Sequence, residues 1–356
     1  MISLIHLKEA LRMFRRHLNV NKRGFKTYKG TPKQILKKII NNCYNNKFFQ
    51  VSSGHFTQFY TRDFGWCTES LLKLGYKEQV TSTLNYALNI FQKHNKITTS
   101  ITPNNIPFNF PNEAIDSLPW LIHSLTLLNN KQLINKHKDF LIKNINNFTS
   151  YLDNNGLVKR NKHFSSMKDY AKRSSSCYDN CMLSMLQQDL KKLSLPNPLK
   201  DYNYEELITK HFWTGSYFKD DLSNNPEVSG DANIFPFITN TITNKAIKTK
   251  ALQSIKNLAQ PFPLKYATKK QHKLIWLEIF AGDYERDAIW MHMGPLYLKL
   301  IKNTPEYKHH LNTYISLIEK HKTFLEVFDK TGKPFKTPFY STDEGMLWAS
   351  NILQLI

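Results

Sequence analysis

Apolar residues recur along this chain mostly three and four positions apart, the spacing that places them on one side of an α-helix, and the strict alternation of strands is rare. Six segments are apolar on almost every side, each with an aspartate at or beside its start. They read RDFGWCTESLLKL at Asp63, DSLPWLIHSLTLL at Asp116, DNCMLSMLQQDL at Asp179, DANIFPFITNTI at Asp231, DAIWMHMGPLYLKLI at Asp287 and DEGMLWASNILQLI at Asp343. The aspartates lie 53, 63, 52, 56 and 56 residues apart, which is a repeat.

Between these segments run more polar helical stretches: 78–93, 131–152, 204–212, 245–258 and 305–324. A further one, 31–46, precedes the first segment and starts on a Thr-Pro signal. A helix apolar all round must be buried, whereas one with a charged stripe can face water. Six of each predict an all-α fold, an (α/α)6 toroid of six inner and six outer helices. Parallel inner helices would gather all six aspartates at one mouth. Residues 31–356 are assigned to this domain. Residues 1–30 are assigned to an N-terminal amphipathic helix and a basic linker, because Met1 to Val20 mixes apolar residues with Lys8, Glu9, Arg12, Arg15 and Arg16.

Composition agrees with a folded chain of 356 residues, 41% hydrophobic and 13% aromatic, with 12 Gly and 15 Pro. No apolar run reaches the roughly 20 residues that span a bilayer, and the N-terminus does not read as a signal peptide. Four cysteines, of which Cys177 and Cys181 sit one helical turn apart, suggest reduced thiols and a cytoplasmic setting. The net charge of +21 is spread as lysine over many segments, the longest basic stretch being 15–38, and no nucleic-acid motif accompanies it. Neither a nucleic-acid nor a membrane partner is expected, and oligomeric state is not legible. No cofactor is expected either: His309 and His310 are adjacent rather than spaced as metal ligands, and no phosphate loop or Gly-x-Ser-x-Gly elbow is present.

An aspartate at a helix start is ordinarily a cap. What capping does not supply is the company these aspartates keep: Phe59, Tyr60 and Arg62 beside Asp63, Phe108 and Phe110 ahead of Asp116, Tyr284 and Trp290 around Asp287. Rings and carboxylates converging on a pocket suit a sugar, whose C–H faces stack on aromatics while its hydroxyls take charged hydrogen bonds.

Four segments carry a resemblance. Tyr60-Thr61-Arg62-Asp63 resembles an aromatic-x-Arg-Asp entry to the first inner helix. Ala114-Ile115-Asp116-Ser117-Leu118-Pro119-Trp120 is similar to an Ala-Asp-Ala-x-x-Trp-Phe segment. Ile289-Trp290-Met291-His292-Met293-Gly294-Pro295-Leu296-Tyr297 resembles Val-Trp-Pro-Trp-x-x-Gly-Pro-Tyr, and Phe324-Leu325-Glu326-Val327-Phe328-Asp329 resembles a Glu-x-Phe-Asp stretch before the last helix. With these four segments the chain resembles the six-hairpin glycosidase superfamily, and within it the amylo-α-1,6-glucosidase domain of glycogen debranching enzymes, with alkaline/neutral invertases as relatives. Three positions depart from that pattern: His292 replaces the second Trp, Glu285-Arg286-Asp287 replaces Gln-Gly-Thr, and Tyr178-Asp179-Asn180 stands where Glu-x-Asn is expected.

The resemblance implies a cofactor-independent glycosidase acting on an oligosaccharide or polysaccharide, inverting and exo-acting on an α-glucosidic bond. Asp116 is the implied general acid and Glu326 the general base, with their carboxyls roughly 6.5–9.5 Å apart to admit a water. Apolar neighbours Leu118, Pro119 and Trp120 favour a protonated Asp116. Substrate contacts are expected from Tyr60, Arg62, Asp63, Trp120, Tyr178, Asp179, Asp231, Asp287, Trp290, His292 and Asp343, and no metal is expected. Two alternatives stay open: a toroid that binds carbohydrate without turnover, and a basic helical-repeat scaffold for RNA or membrane.

Overall fold

The computed structural model describes residues 4–223, 225, 227–269 and 282–356. Six helices form the inner ring: α3 (Thr61–Lys73), α5 (Ser117–Leu128), α8 (Cys177–Lys192), α10 (Gly230–Ile238), α12 (Met293–Leu300) and α14 (Ala349–Leu353). Each packs on the next, and α14 packs back on α3, so the ring is closed. The (α/α)6 toroid expected from the repeat is the fold. Its core is one continuous cluster of buried side chains, among which the inner helices bury nearly every residue of their first turns.

The outer layer comprises α2 (Pro32–Cys43), α4 (Lys77–Lys93), α6 (Lys131–Lys136) with α7 (Lys138–Phe148), α9 (Tyr204–Phe212), α11 (Lys245–Ser254) and α13 (Pro305–His321). These helices are apolar on one side only. In α2 the buried residues are Ile35, Leu36, Ile39, Ile40 and Cys43, and its start is set by a Thr31 capping box with Gln34 and a proline in the first turn. The polar stretch 131–152 divides at His137, a buried side chain held by Gln92, where the backbone leaves helical geometry (φ −113°).

An N-terminal helix, α1 (Leu4–Arg23), occupies the segment expected to be amphipathic. Among the described residues no helix is long and apolar enough to cross a membrane.

The fifth and sixth repeats differ from the simple pattern. Asp287 and Asp343 precede their helices by six residues each, because the intervening chain is satisfied by other backbone. Strand β4 (Ile289–Trp290) pairs antiparallel with β5 (Val327–Phe328), and Met291 N–H donates to Glu326 C=O at 3.1 Å. At the first repeat, β1 (Phe59–Tyr60), β2 (Ser100–Ile101) and β3 (Pro107–Phe108) make a second small sheet. These short ladders stiffen the connections that carry Tyr60, Trp290 and Glu326.

The inner helices approach closely at Gly65 of α3, where a Cβ would lie 2.8 Å from the Cβ of Trp120 in α5. That neighbour is anchored to backbone and cannot swing aside. Gly65→Ala is therefore expected to cost about 1–3 kcal/mol by overpacking. Urea unfolding should show a lower midpoint with an unchanged slope.

Candidate functional site

Arg62 and Asp63 enter the mouth from the first turn of α3, and Tyr178 from the first turn of α8. Asp116 stands at the N-cap position of α5 but in helical geometry, and its carboxylate caps nothing. Instead Tyr178 Oη donates to Asp116 Oδ2 at 2.8 Å and itself accepts from Trp120 Nε1 at 3.0 Å. Arg62 bridges two acids, with Nη1 3.5 Å from Asp116 Oδ2 and Nη2 3.4 Å from Asp169 Oδ1, while its guanidinium lies over the Trp66 ring at 5.7 Å. Burial raises the Asp116 pKa above the ordinary carboxylate range, opposed by Arg62 and the Tyr178 hydroxyl.

Glu326 is placed just ahead of β5, beyond the end of α13, its N–H donating to Asp343 C=O at 3.0 Å. Its carboxylate accepts from Tyr284 Oη, from Tyr340 Oη at 2.5 Å and from Asp343 N–H at 3.0 Å. Burial pushes the Glu326 pKa up to about 7, against the pull of those three donors.

Aromatic rings join the two regions. Trp348 Nε1 donates to Asp63 Oδ1 at 3.1 Å, and Trp348 meets His292 at 5.0 Å between centroids. His292 stacks on Trp66 at 4.4 Å and 7° and touches Trp290 at 5.0 Å. Trp290 in turn meets Tyr284 edge-on at 4.4 Å, and Tyr284 holds Glu326. One connected wall thus runs from the Arg62–Asp63 pair to Glu326. Burial lifts Asp63 to about 7 and keeps His292 neutral by lowering its pKa.

The other aspartates are placed differently. Asp179 is buried, with its pKa raised by burial to about 7 and Oδ1 without a hydrogen-bond partner. Asp231 belongs to a buried ion cluster, 3.3 Å from Lys168 and 3.1 Å from Arg173, which also hold Asp220. Asp343 accepts from Ser52 and from the N–H groups of His55, Phe56 and Glu344, fastening segment 52–56 to the last repeat. Asp287 faces the rim cations Lys330 at 3.6 Å and Arg286 at 3.9 Å. Tyr60 is half-buried beside Phe56.

The sequence pattern did not single out Asp169 or Tyr340, and it marked Glu285 only as a departure from the motif. Asp169 has 33% of its side chain exposed, whereas the Asp116 side chain is fully buried. Glu285 receives the consecutive N–H groups of Asp169, Tyr170 and Ala171, and burial raises the pKa of both Glu285 and Asp169. These residues lie in connecting segments without a helical period. The available sign was the charged Lys168-Asp169 pair inside the long stretch 153–175.

No family model and no curated protein matches this sequence. Solved structures do match. A rhamnosidase from Klebsiella oxytoca with rhamnose bound superposes with a TM-score of 0.66 at 10% identity, over 93% of this chain and 64% of that one. The chain therefore spans somewhat under two thirds of that rhamnosidase. A glycosidase variant in complex with glucose gives 0.62 at 7% identity, covering 100% of this chain and 98% of the other. A metal-independent α-mannosidase from Streptococcus pneumoniae, in a non-productive complex with α-1,6-mannobiose, gives 0.60 at 12% identity over 97% and 96%. At such identities the likeness is one of fold.

Lys168 is almost fully buried between Asp220, Ser229 and Asp231, and with Arg173 it pins the segment bearing Asp169 to the start of α10. Lys168→Met leaves buried carboxylates short of a counter-charge and is expected to cost about 3–5 kcal/mol. Chemical denaturation measures it, and a loss under about 1 kcal/mol would show the cluster to be dispensable.

Proposed function

We propose that this protein is a glycoside hydrolase that cleaves an α-linked oligosaccharide or polysaccharide with two carboxylates and no cofactor. The observation that carries the reading is the single aromatic wall connecting Arg62–Asp63 to Glu326, with carboxyl groups at both ends whose pKa burial has raised. A sugar ring can pack along Trp290, the most accessible tryptophan of the wall, while Arg62, Asp63 and Asp179 take its hydroxyls.

Glu326 is the proposed base. Its three donors favour the ionised form, and a carboxylate titrating near 7 is basic enough to take a proton from water. The acid is drawn from the pair bridged by Arg62. Asp116 is the member that the motif resemblance implies, and Asp169 is the member that solvent, and so a leaving-group oxygen, reaches. A carboxyl gap of roughly 6.5–9.5 Å would make the reaction inverting. The finer reading is an exo-acting amylo-α-1,6-glucosidase-like activity in carbohydrate metabolism. It is supported by the four ordered motifs, while the neighbours include proteins that bind rhamnose, glucose and mannobiose. Four buried, unpaired cysteines fit a reducing, cytoplasmic compartment.

Incubation with panose, isomaltose, limit dextrin, sucrose, trehalose and α-1,6-mannobiose, with chromatography of released monosaccharide, tests the proposal. Release from at least one is expected, and release from none counts against it. With a cleaved substrate, Glu326→Gln should lose a hundredfold or more, about what general-base catalysis contributes. The larger loss between Asp116→Asn and Asp169→Asn identifies the proton donor. NMR of the first-formed anomer reads inversion or retention.

The pH profile offers a separate check. Tyr340→Phe removes a donor that favours ionised Glu326, so the Glu326 pKa rises further. Because the base must be ionised, the acid limb of kcat/KM should move to higher pH in this variant. An unmoved limb would assign that titration to another group.

A further inference from the structure

Helix α1 is docked the wrong way round for an ordinary amphipathic helix, whose apolar side faces the core. Its polar side meets the toroid: Arg16 pairs with the buried Glu344, His17 Nδ1 lies 2.9 Å from Ser341 Oγ, and Arg12 reaches Thr57 Oγ1 at 2.5 Å. Glu9, the one acid of α1, is held inward by Arg12 and Gln58. Leu7, Leu11, Phe14 and Leu18, spaced four, three and four apart, form a stripe on the outward side, each 38% to 63% exposed.

The remaining exposed large hydrophobic residues among the described ones are Ile106, at 41%, and Phe339, at 49%. They lie in the segments that receive the two ends of α1. Ile106 is two residues from Phe108, whose ring meets His6, and Phe339 is two residues from Ser341, which bonds His17. Among the described residues the exposed apolar bulk is therefore gathered along α1 and the segments at its ends rather than scattered, the pattern of an interaction surface.

Charge identifies the partner. Lys8, Arg15 and Lys22 recur every seven residues and form an exposed row beside the apolar stripe, and Arg23, Lys26 and Lys29, also exposed, follow it in the chain. We propose that α1 docks this protein peripherally on an anionic lipid bilayer. The helix lies in the headgroup plane with its stripe among the acyl chains and its basic row on the lipid phosphates and carboxylates. Twenty residues make a rod about 30 Å long, with the exposed Ile106 and Phe339 in the segments at its two ends. A second copy is disfavoured as occupant, since a chain of net charge +21 would set basic row against basic row.

The test is co-sedimentation of the full chain with vesicles of phosphatidylcholine alone and with vesicles of equal parts phosphatidylcholine and phosphatidylserine. Binding to the second and not the first is expected, weakening as salt is added. Leu11→Asp with Phe14→Asp, and Lys8→Glu with Arg15→Glu and Lys22→Glu, should each reduce it at least about tenfold. Because these side chains are exposed, thermal melting by circular dichroism should be unchanged in both variants. Equal binding by either variant, equal binding to neutral vesicles, or no binding overturns the proposal. So does a dimer in analytical ultracentrifugation that the Leu11→Asp, Phe14→Asp variant dissolves, since the stripe would then be a contact between copies.

Discussion

Inner helices that are apolar on every side are stable only when both of their flanks are covered, so the whole arrangement depends on the seam where the last inner helix meets the first. That seam is where helical packing is shortest, since α14 has five residues and α12 eight. Polar ties reinforce it. Ser70 of α3 donates to Asn351 at 2.6 Å or Gln354 at 2.7 Å, Glu69 pairs with Lys299 of α12 at 3.1 Å, and Leu347 N–H reaches Val51 C=O at 2.7 Å. Asp343, bound by Ser52 and by the N–H groups of His55 and Phe56, closes the same seam at the mouth. An aspartate expected to touch substrate thus also performs a structural task, and its N–H orients Glu326.

Closure draws the repeat aspartates and their neighbours toward one end, where desolvation would neutralise them unless something stabilises the charge. Two solutions are visible. Asp220 and Asp231 are matched with Lys168 and Arg173 in a buried ion cluster that fixes a loop. Glu326 is matched only with neutral donors, two phenols and an N–H, and its pKa is raised. A carboxylate held by neutral donors, with its pKa raised by burial, can exchange a proton near neutrality. Asp116 and Asp169 lie between these cases, sharing one arginine.

The ring was legible because burial imposes a period that any apolar side chain satisfies: the six segments from Asp63 to Asp343 mark its inner helices. Arg62, Asp63, Trp290 and Glu326 were legible because they sit within a few residues of those helices or their short strands. Boundaries were less so. The fifth helix begins late because 289–290 pair with 327–328, and the sixth because the N–H groups of Met346 and Leu347 are taken by Phe324 and Val51 C=O, long-range choices that no local pattern encodes. Asp169 was hidden for a related reason. It stands in an aperiodic stretch held by Glu285, more than a hundred residues away, and by Arg62, so its place is fixed by contacts and not by propensity.

His292 shows how much the wall can change while the ring persists. At this position the motif has a tryptophan, and the imidazole keeps a flat surface stacked on Trp66 at 4.4 Å while filling less volume. Its burial lowers the pKa and holds it neutral, so it adds no charge beside Arg62. The smaller neutral ring still meets Trp290 and Trp348 at 5.0 Å each, so the wall stays continuous without altering the acids at either end. Two of the proteins that share the ring, at 10% and 7% identity, hold different sugars, rhamnose and glucose, so the ring itself tolerates wide change in the residues it carries.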